Sequence, residues 1–268
     1  MSDGSEFTIS EEPFYLPQGN EIELFEAAHA HKLPVLLNGP TGSGKTRLVE
    51  HMAWRLKLPL YTVACHEDLS ANDLTGRYII KGDEVEWIDG PLLTAVREGG
   101  IAYLDEVVEA RKDVTVVIHP LTDYRRCLTV EKRGKVYYAP EGFMMVISYN
   151  PNYQSVLKEL KPSTRQRFVS INLGWPAEDL EIRIICRESG VDEETAQRLV
   201  KAANRIRHLI HQGLEEGAST RELVYAGMLL KSGLPTGTAL NATLVEPLTY
   251  DDDLKRSIGE VLKNYFNF

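Results

Sequence analysis

A glycine-rich segment near the start of the chain restricts the possible folds more than any other feature of the sequence. Its residues fit the pattern GxxxxGK followed by Ser or Thr at every fixed position: Gly39, Pro40, Thr41, Gly42, Ser43, Gly44, Lys45 and Thr46. An apolar run at 34–38 precedes the segment, and apolar residues at helical spacing follow it (Leu48, Met52 and Leu56). A strand, a glycine-rich turn and a helix in this order predict a P-loop, in which backbone N–H groups and the helix dipole bind phosphates.

The last two positions of this P-loop predict particular roles. The Lys45 ammonium is expected to reach the outer phosphates of a nucleotide, and the Thr46 hydroxyl is expected to ligate Mg²⁺. A glycine-rich turn with a solvated lysine is the alternative, and the flanking strand and helix argue against it. The segment therefore predicts a nucleoside triphosphate and Mg²⁺ as cofactors.

A second motif ends an apolar run at 101–104 with two carboxylates, Asp105 and Glu106. Many buried strands end in a single acidic residue, but this pattern after a P-loop is typical of a Walker B strand. We expect Asp105 to hold Mg²⁺ through its water shell and Glu106 to polarise the attacking water as general base. The second carboxylate is typical of an enzyme that hydrolyses ATP.

A third candidate residue is Asn150, which follows the apolar run at 143–148. In a parallel sheet, ligands collect at the carboxyl ends of the strands. Asn150 is therefore expected beside Thr46 and Asp105. The alternative interpretation is an ordinary turn asparagine before Pro151.

The order of apolar patterns along the chain predicts an α/β fold. Helical patterns alternate with short apolar runs typical of buried strands, at 34–38, 60–64, 101–104, 143–148 and 168–173. Such alternation predicts a parallel sheet that is covered on both faces.

Two segments interrupt this alternation, and the end of the chain departs from it. Residues 77–88 and 128–138 alternate apolar and polar side chains around glycine-containing turns, which predicts two inserted hairpins. Beyond residue 176 only helices are expected, at 178–188, 193–211, 220–232 and 251–268. Ser219 and Glu222 have the spacing of a capping box at the start of the third. We expect a nucleotide-binding domain at 1–176 and a small helical lid domain at 177–268.

Composition excludes several other classes of protein. The formal net charge of −9 argues against a protein that binds a nucleic-acid backbone. The three cysteines are scattered without CxxC spacing, so neither a disulfide framework nor a zinc site is expected. No apolar run approaches the roughly 18 residues that span a bilayer, and the polar N-terminus does not have the pattern of a signal peptide. A cytoplasmic location is expected.

The order of these motifs, followed by arginines and a helical region, resembles that of the AAA+ ATPases. Finer features resemble the MoxR group and, within it, the CbbQ/NorQ branch. They are the segments 74–77 (LTGR), 89–92 (DGPL) and 161–168 (KPSTRQRF), and the two hairpins. The resemblance runs from about Pro17 to the end of the chain. It implies a P-loop AAA+ core with a parallel sheet and two inserted hairpins, and a C-terminal all-helical lid.

The resemblance also assigns roles to individual residues. It implies that Asn150 is the sensor 1 residue and that Arg221, in the segment Ser219-Thr220-Arg221-Glu222, is sensor 2. It implies that Arg165 or Arg167 is the finger that reaches a neighbouring subunit's nucleotide, where charge builds on the γ-phosphoryl group. Solvated arginines before a strand are the alternative for both.

Members of the branch act with a partner that carries a von Willebrand factor A domain. The resemblance therefore implies a hexameric ring, such a partner, and a client enzyme that is remodelled. The overall run of residues is most similar to CbbQ, which predicts activation of rubisco by release of inhibitory sugar phosphates. Activation of nitric oxide reductase, as by NorQ, is the alternative.

Other P-loop proteins fit the sequence less well. The NKxD motif of GTPases and the LSGGQ-like signature of ABC ATPases are both absent. A DNA-remodelling AAA+ ATPase shares every catalytic feature, and the acidic balance and the resemblance argue against it. A catalytically silent adaptor is disfavoured by the intact Lys45, Asp105 and Glu106. The aromatic–hydrophobic–glycine pore loop of threading unfoldases is also absent, and the nearest candidates are Tyr78, Ile79, Ile80 and Trp87.

Overall fold

The computed structural model describes residues 7–151 and 160–268. Its strands are β1 (Val35–Asn38), β2 (Leu60–Ala64), β3 (Gly76–Lys81), β4 (Glu84–Asp89), β5 (Ile101–Asp105), β6 (Cys127–Val130), β7 (Lys135–Tyr138), β8 (Met144–Tyr149) and β9 (Val169–Asn172). Its helices are α1 (Glu21–Ala30), α2 (Lys45–Leu56), α3 (Ala71–Thr75), α4 (Pro91–Glu98), α5 (Lys112–Ile118), α6 (Pro162–Arg165), α7 (Glu178–Ser189), α8 (Glu193–Arg207), α9 (Thr220–Lys231), α10 (Thr236–Leu240) and α11 (Asp252–Lys263).

A parallel sheet with the strand order β2-β5-β8-β1-β9 confirms the predicted α/β core. Successive side chains of each strand point to opposite faces of the sheet, so both faces are apolar. One face buries Leu36, Leu104 and Ile147 in a cluster with residues of α4 and α5. The other face buries Leu37 and Tyr103 in a cluster with residues of α1 and α2.

Both predicted hairpins are confirmed. Strands β3 and β4 pair antiparallel, with Tyr78 opposite Trp87 and Ile80 opposite Val85. Strands β6 and β7 also pair antiparallel, and a short 3-10 turn at Glu131–Arg133 joins them.

The chain divides into two compact units. One unit comprises the chain up to Gly39 and Gly44–Leu173; the other comprises Pro40–Ser43 and Gly174–Phe268. In the second unit, α7, α8, α9 and α11 share one apolar core. No helix of the described residues is long and apolar enough to cross a membrane.

The capping box at the start of α9 is confirmed. The Ser219 hydroxyl accepts a hydrogen bond from the Glu222 amide, and the Glu222 carboxylate accepts one from the Ser219 amide at 2.7 Å. These bonds satisfy N–H groups that the first turn of a helix leaves without partners.

Two of the predicted helices end several residues early, and four short helices were not predicted. The helix expected at 193–211 ends at Arg207, where a 3-10 turn begins, and the helix expected at 251–268 ends at Lys263. The unpredicted helices α3, α4, α6 and α10 have 5, 8, 4 and 5 residues. Such lengths give too few turns for the apolar periodicity that reveals a helix in sequence.

Candidate functional site

The candidate site lies at the carboxyl ends of three neighbouring strands. Strand β8 lies between β1, which leads into the P-loop, and β5, which ends at Asp105. The Gly39 amide donates a hydrogen bond of 3.2 Å to the carbonyl of Tyr149, the residue before Asn150. The sheet thus brings the ends of the three motifs to one edge, as the sequence analysis expected.

The P-loop leads directly into α2. Gly42 and Gly44 have φ angles of 71° and 95°, in the left-handed region that glycine adopts at low cost. Gly44 is the N-cap of α2, so Lys45 and Thr46 are the first residues of that helix. Lys45 is buried, and its ammonium donates a hydrogen bond of 2.8 Å to the Gly39 carbonyl. This helix start has the dipole and the N–H groups that bind anions.

The Asp105 carboxylate is held by two hydroxyl groups that sequence analysis did not single out. Tyr103 donates a hydrogen bond of 2.6 Å to Asp105 Oδ1, and Ser148 donates a second to the same oxygen. The Tyr103 hydroxyl oxygen also lies 3.4 Å from Thr46 Oγ1. Tyr103 therefore connects the two residues that were predicted to bind Mg²⁺.

The charge of the site affects the neighbouring ionisable groups. Burial, followed by the nearby Asp105 carboxylate, raises the pKa of Tyr103 far above its ordinary value, so the phenol stays protonated and donates. Burial, followed by the charges of Asp105 and Glu106, raises the pKa of Cys65 to about 12. The Cys65 thiol is therefore uncharged at neutral pH and is a poor nucleophile.

Glu106 has an unusual backbone conformation. Its φ and ψ are 55° and 50°, in the left-handed region that a non-glycine residue rarely adopts. Its amide donates a hydrogen bond of 2.8 Å to Ser148 Oγ. The Glu106 side chain is exposed, whereas the first four residues of β5 are buried. The turn at Glu106 thus takes the second carboxylate out of the strand and into solvent.

The described residues fit the cofactors that the motifs imply. Thr46 and Asp105 supply a hydroxyl and a carboxylate, which are the hard oxygen donors that Mg²⁺ prefers. Magnesium keeps several waters, so two protein donors suffice for a site that also takes phosphate oxygens. Asn150 is buried, with 6% of its surface exposed, at the end of the strand beside β5.

The three candidate arginines have different surroundings. Arg165 ends α6 and is exposed, and its side chain makes no hydrogen bond or ion pair within 7–151 and 160–268. Arg167 donates a hydrogen bond of 3.0 Å to Asp123, which also binds Arg125. These bonds, with the Arg125 side chain first, lower the pKa of Asp123 well below its ordinary range. Arg221 is exposed in the first turn of α9, in the second unit.

Comparison with known proteins places the chain in a family. Residues 34–168 match the AAA domain of the dynein-related subfamily, and residues 181–265 match the CbbQ/NirQ/NorQ C-terminal domain. Protein NorQ of Paracoccus denitrificans is 58% identical over 95% of this chain and 94% of its own length. Protein CbbQ of Hydrogenophilus thermoluteolus is 51% identical over 98% of each chain.

A solved structure is similar in fold. RuvB from Thermotoga maritima superimposes with a TM-score of 0.60 over 95% of this chain and 73% of its own, at 17% identity. At that identity the likeness concerns the fold alone. The family matches, in contrast, cover both parts of the sequence that carry the motifs. The chain belongs to the CbbQ/NirQ/NorQ family of AAA ATPases.

Proposed function

We propose that this ATPase remodels a partner enzyme, with ATP bound by the P-loop and hydrolysed at the edge formed by β1, β5 and β8. The observation that carries the proposal is the convergence of Thr46, Asp105 and Asn150 at the ends of adjacent strands. A hydroxyl, two acidic groups and an amide at one such edge are the groups that hold Mg²⁺ and orient the attacking water in phosphoryl transfer.

Each residue has a role in hydrolysis. The P-loop of residues 39–44 binds the phosphates through the backbone N–H groups that follow Pro40, and Lys45 binds the outer phosphates. Thr46 and Asp105 hold Mg²⁺, which neutralises charge on the phosphates when bound. Glu106 orients the attacking water and accepts its proton, and Asn150 positions the same water or the γ-phosphate as sensor 1. Arg221 acts as sensor 2.

Among the two finger candidates, we infer that Arg165 acts on the nucleotide of a neighbouring subunit. A finger needs an exposed guanidinium whose hydrogen-bonding groups are available to another chain. Arg165 is exposed at the end of α6, whereas Arg167 already donates to Asp123 of its own chain at 3.0 Å. An arginine acting in trans requires a heterologous interface, and such an interface forms a ring when the rotation between subunits closes. A hexamer is the ring that the family resemblance implies.

Complementation between variant subunits tests this assignment. We expect rings that mix Arg165→Ala with Lys45→Ala subunits to regain hydrolysis, because some interfaces then join an intact P-loop to an intact finger. Mixing Arg167→Ala with Lys45→Ala subunits is the matched comparison. Failure of the Arg165 mixture at every ratio, with intact rings by sedimentation, would show that Arg165 does not act in trans.

The hairpin of β3 and β4 is the surface that we assign to the partner or client. Ile80 and Val85 lie opposite each other and are 80% and 67% exposed. Tyr78 and Trp87 lie on the same face, and the Trp87 ring stacks with the Arg133 guanidinium of the second hairpin at 5.5 Å. Exposed apolar side chains on a braced hairpin are typical of a surface that binds another protein.

The client is an enzyme of one of two kinds. Identity is 58% to NorQ and 51% to CbbQ, so the comparison favours nitric oxide reductase over the rubisco that the sequence alone led us to expect. The family resemblance implies a von Willebrand factor A domain protein as the partner in either case. Purified ring and partner should be assayed for activation of nitric oxide reductase and, separately, for reactivation of sugar-phosphate-inhibited rubisco. Activation of neither client, together with stimulation of hydrolysis by duplex DNA but not by the partner, would contradict the proposed function.

A further inference from the structure

We propose that the hydroxyl groups of Tyr103 and Ser148 position the two carboxylates of this site, Tyr103 acting on the magnesium ligands and Ser148 on the general base. This inference rests on the function proposed above, since it concerns the same residues Thr46, Asp105 and Glu106. Both hydroxyls bind Asp105 Oδ1, and each also contacts a second member of the site.

The single proton of the Tyr103 hydroxyl fixes the direction of its hydrogen bonds. The group donates to Asp105 Oδ1 at 2.6 Å, so towards Thr46, 3.4 Å away, its oxygen acts as acceptor. The Thr46 proton then points towards Tyr103, which leaves the lone pairs of Thr46 for a cation. Tyr103 is fully buried, so it cannot exchange these partners for water.

The Asp105 carboxylate is oriented by the same arrangement. Two hydroxyls donate to Oδ1, and within 7–151 and 160–268 Oδ2 accepts no hydrogen bond. A carboxylate fixed through one oxygen presents the other in a defined direction. Outer partners of metal ligands act in this way, and their removal typically costs about 10–100-fold in metal affinity or activity.

Ser148 connects Asp105 to Glu106. Its hydroxyl donates to Asp105 Oδ1 and accepts from the Glu106 amide at 2.8 Å, so one fully buried group holds both. Glu106 has left-handed backbone angles, which cost about 1 kcal/mol or more for a non-glycine residue. The bond from its amide to Ser148 stabilises that turn and thereby sets the direction in which the Glu106 side chain leaves the strand.

The test for Tyr103 is the magnesium dependence of nucleotide binding by Tyr103→Phe. Binding of the N-methylanthraniloyl derivative of AMPPNP, which is not hydrolysed, is measured in EDTA and then during a Mg²⁺ titration. We expect unchanged affinity in EDTA and a requirement for about 10-fold more Mg²⁺. A midpoint within about twofold of the wild type, or an equal loss in EDTA, would overturn the role of Tyr103.

Tyr61→Phe is the matched control. Tyr61 is also a buried tyrosine of the same sheet, and its hydroxyl donates to the carboxylate of Glu98 rather than to a residue of the site. We expect this variant to keep the wild-type magnesium midpoint. A shift equal to that of Tyr103→Phe would show that losing any buried hydroxyl of the sheet has the same effect, and would overturn the inference.

Ser148→Ala is tested by steady-state kinetics at saturating Mg²⁺. We expect kcat to fall by about 10–100-fold with little change in KM, because the variant leaves ATP binding intact and misdirects the base. An unchanged kcat, or a loss that a lower melting temperature explains, would overturn the role of Ser148. Glu106→Gln is assayed in parallel: hydrolysis that persists in Glu106→Gln contradicts the proposed function, whereas wild-type behaviour of the hydroxyl variants alone contradicts only this inference.

Discussion

Two carboxylates, one in each unit of the chain, show how similar chemistry serves different purposes. In the second unit, Glu181 is fully buried and accepts two hydrogen bonds from Arg207, at 2.7 and 2.9 Å, and one from Thr220 at 2.6 Å. Arg207 also donates to the Ala218 carbonyl at 2.8 Å. In the first unit, Asp105 is only partly buried, and its Oδ1 accepts two hydrogen bonds from hydroxyl groups. Among the described residues, no cationic side chain forms an ion pair with it.

The two carboxylates differ in how many of their oxygen atoms already accept hydrogen bonds from other side chains. Both oxygens of the fully buried Glu181 already accept hydrogen bonds from Arg207 or Thr220, so the group holds helices α7, α8 and α9 together. A buried carboxylate in that position needs its cation, since an unpaired buried charge is strongly destabilising. Asp105 keeps bonding capacity for a cation that comes with the nucleotide. A carboxylate at a strand end with one oxygen that accepts no hydrogen bond is therefore a better indicator of a functional site than a carboxylate whose two oxygens are both bonded.

Arg165 and Arg167 also differ in whether their side chains are already bonded within the chain. Arg167 binds Asp123 of its own chain, whereas the exposed Arg165 makes no side-chain bond within the described residues. We expect Arg165→Ala to lower kcat by about 10³–10⁵-fold without changing the melting temperature, because it removes charge stabilisation from the transition state only.

Arg167→Ala is the companion measurement. We expect it to lower the free energy of unfolding by about 1 kcal/mol or less through the loss of a partly exposed ion pair, with a much smaller loss of hydrolysis. Steady-state ATPase assays and thermal melts of both variants give the result. The reverse pattern would assign the finger to Arg167.

The free energy of unfolding of two variants distinguishes a structural carboxylate from a functional one. We expect Glu181→Ala to lower the free energy of unfolding by about 3–5 kcal/mol, because Arg207 then remains buried without its counter-charge. Asp105→Ala should cost less, about 1–3 kcal/mol in the absence of nucleotide and Mg²⁺, because Tyr103 and Ser148 lose their acceptor but no charge is left unpaired. Urea denaturation of the two variants under the same conditions is the measurement. Equal losses would mean that Asp105, too, is mainly a structural group.

The smallest effect on stability is expected at the first hairpin. Replacing the exposed Ile80 and Val85 by serine should change the free energy of unfolding by about 0.5 kcal/mol or less and leave the basal ATPase rate unchanged. Activation of the client should nevertheless be lost, because the variant removes the proposed contact surface. Val116→Ser on α5 is the control, since Val116 is 65% exposed and lies outside both hairpins. Full client activation by the hairpin variant would place the coupling surface elsewhere.

The sequence predicted the parts of the site that local motifs define. The P-loop, Asp105, Glu106 and Asn150 each follow an apolar run, so their position at the sheet edge could be inferred from the chain alone. Tyr103 was open to prediction as well, because residues two apart in a strand share a face and Tyr103 precedes Asp105 by two.

The remaining features depend on contacts between distant segments. Ser148 joins the site only because β8 pairs with β5, and a serine in a buried strand gives no sign of that pairing in sequence. The choice between Arg165 and Arg167 also depended on a distant residue, since Asp123 precedes Arg167 by 44 positions. Trp87 of the first hairpin is a third example, because it packs against the core and its replacement would disturb the fold as well as the surface.

Single-turnover hydrolysis by Glu106→Gln tests the account most directly. Wild type and variant are loaded with radiolabelled ATP and Mg²⁺, and bound ATP and ADP are separated over time in the same samples. We expect the variant to bind ATP with near-normal affinity and to hydrolyse it about 10²–10⁴-fold more slowly than the wild type, because only the general base is lost. Hydrolysis by the variant at the wild-type rate would contradict it, since the turn that presents Glu106 would then have no catalytic purpose.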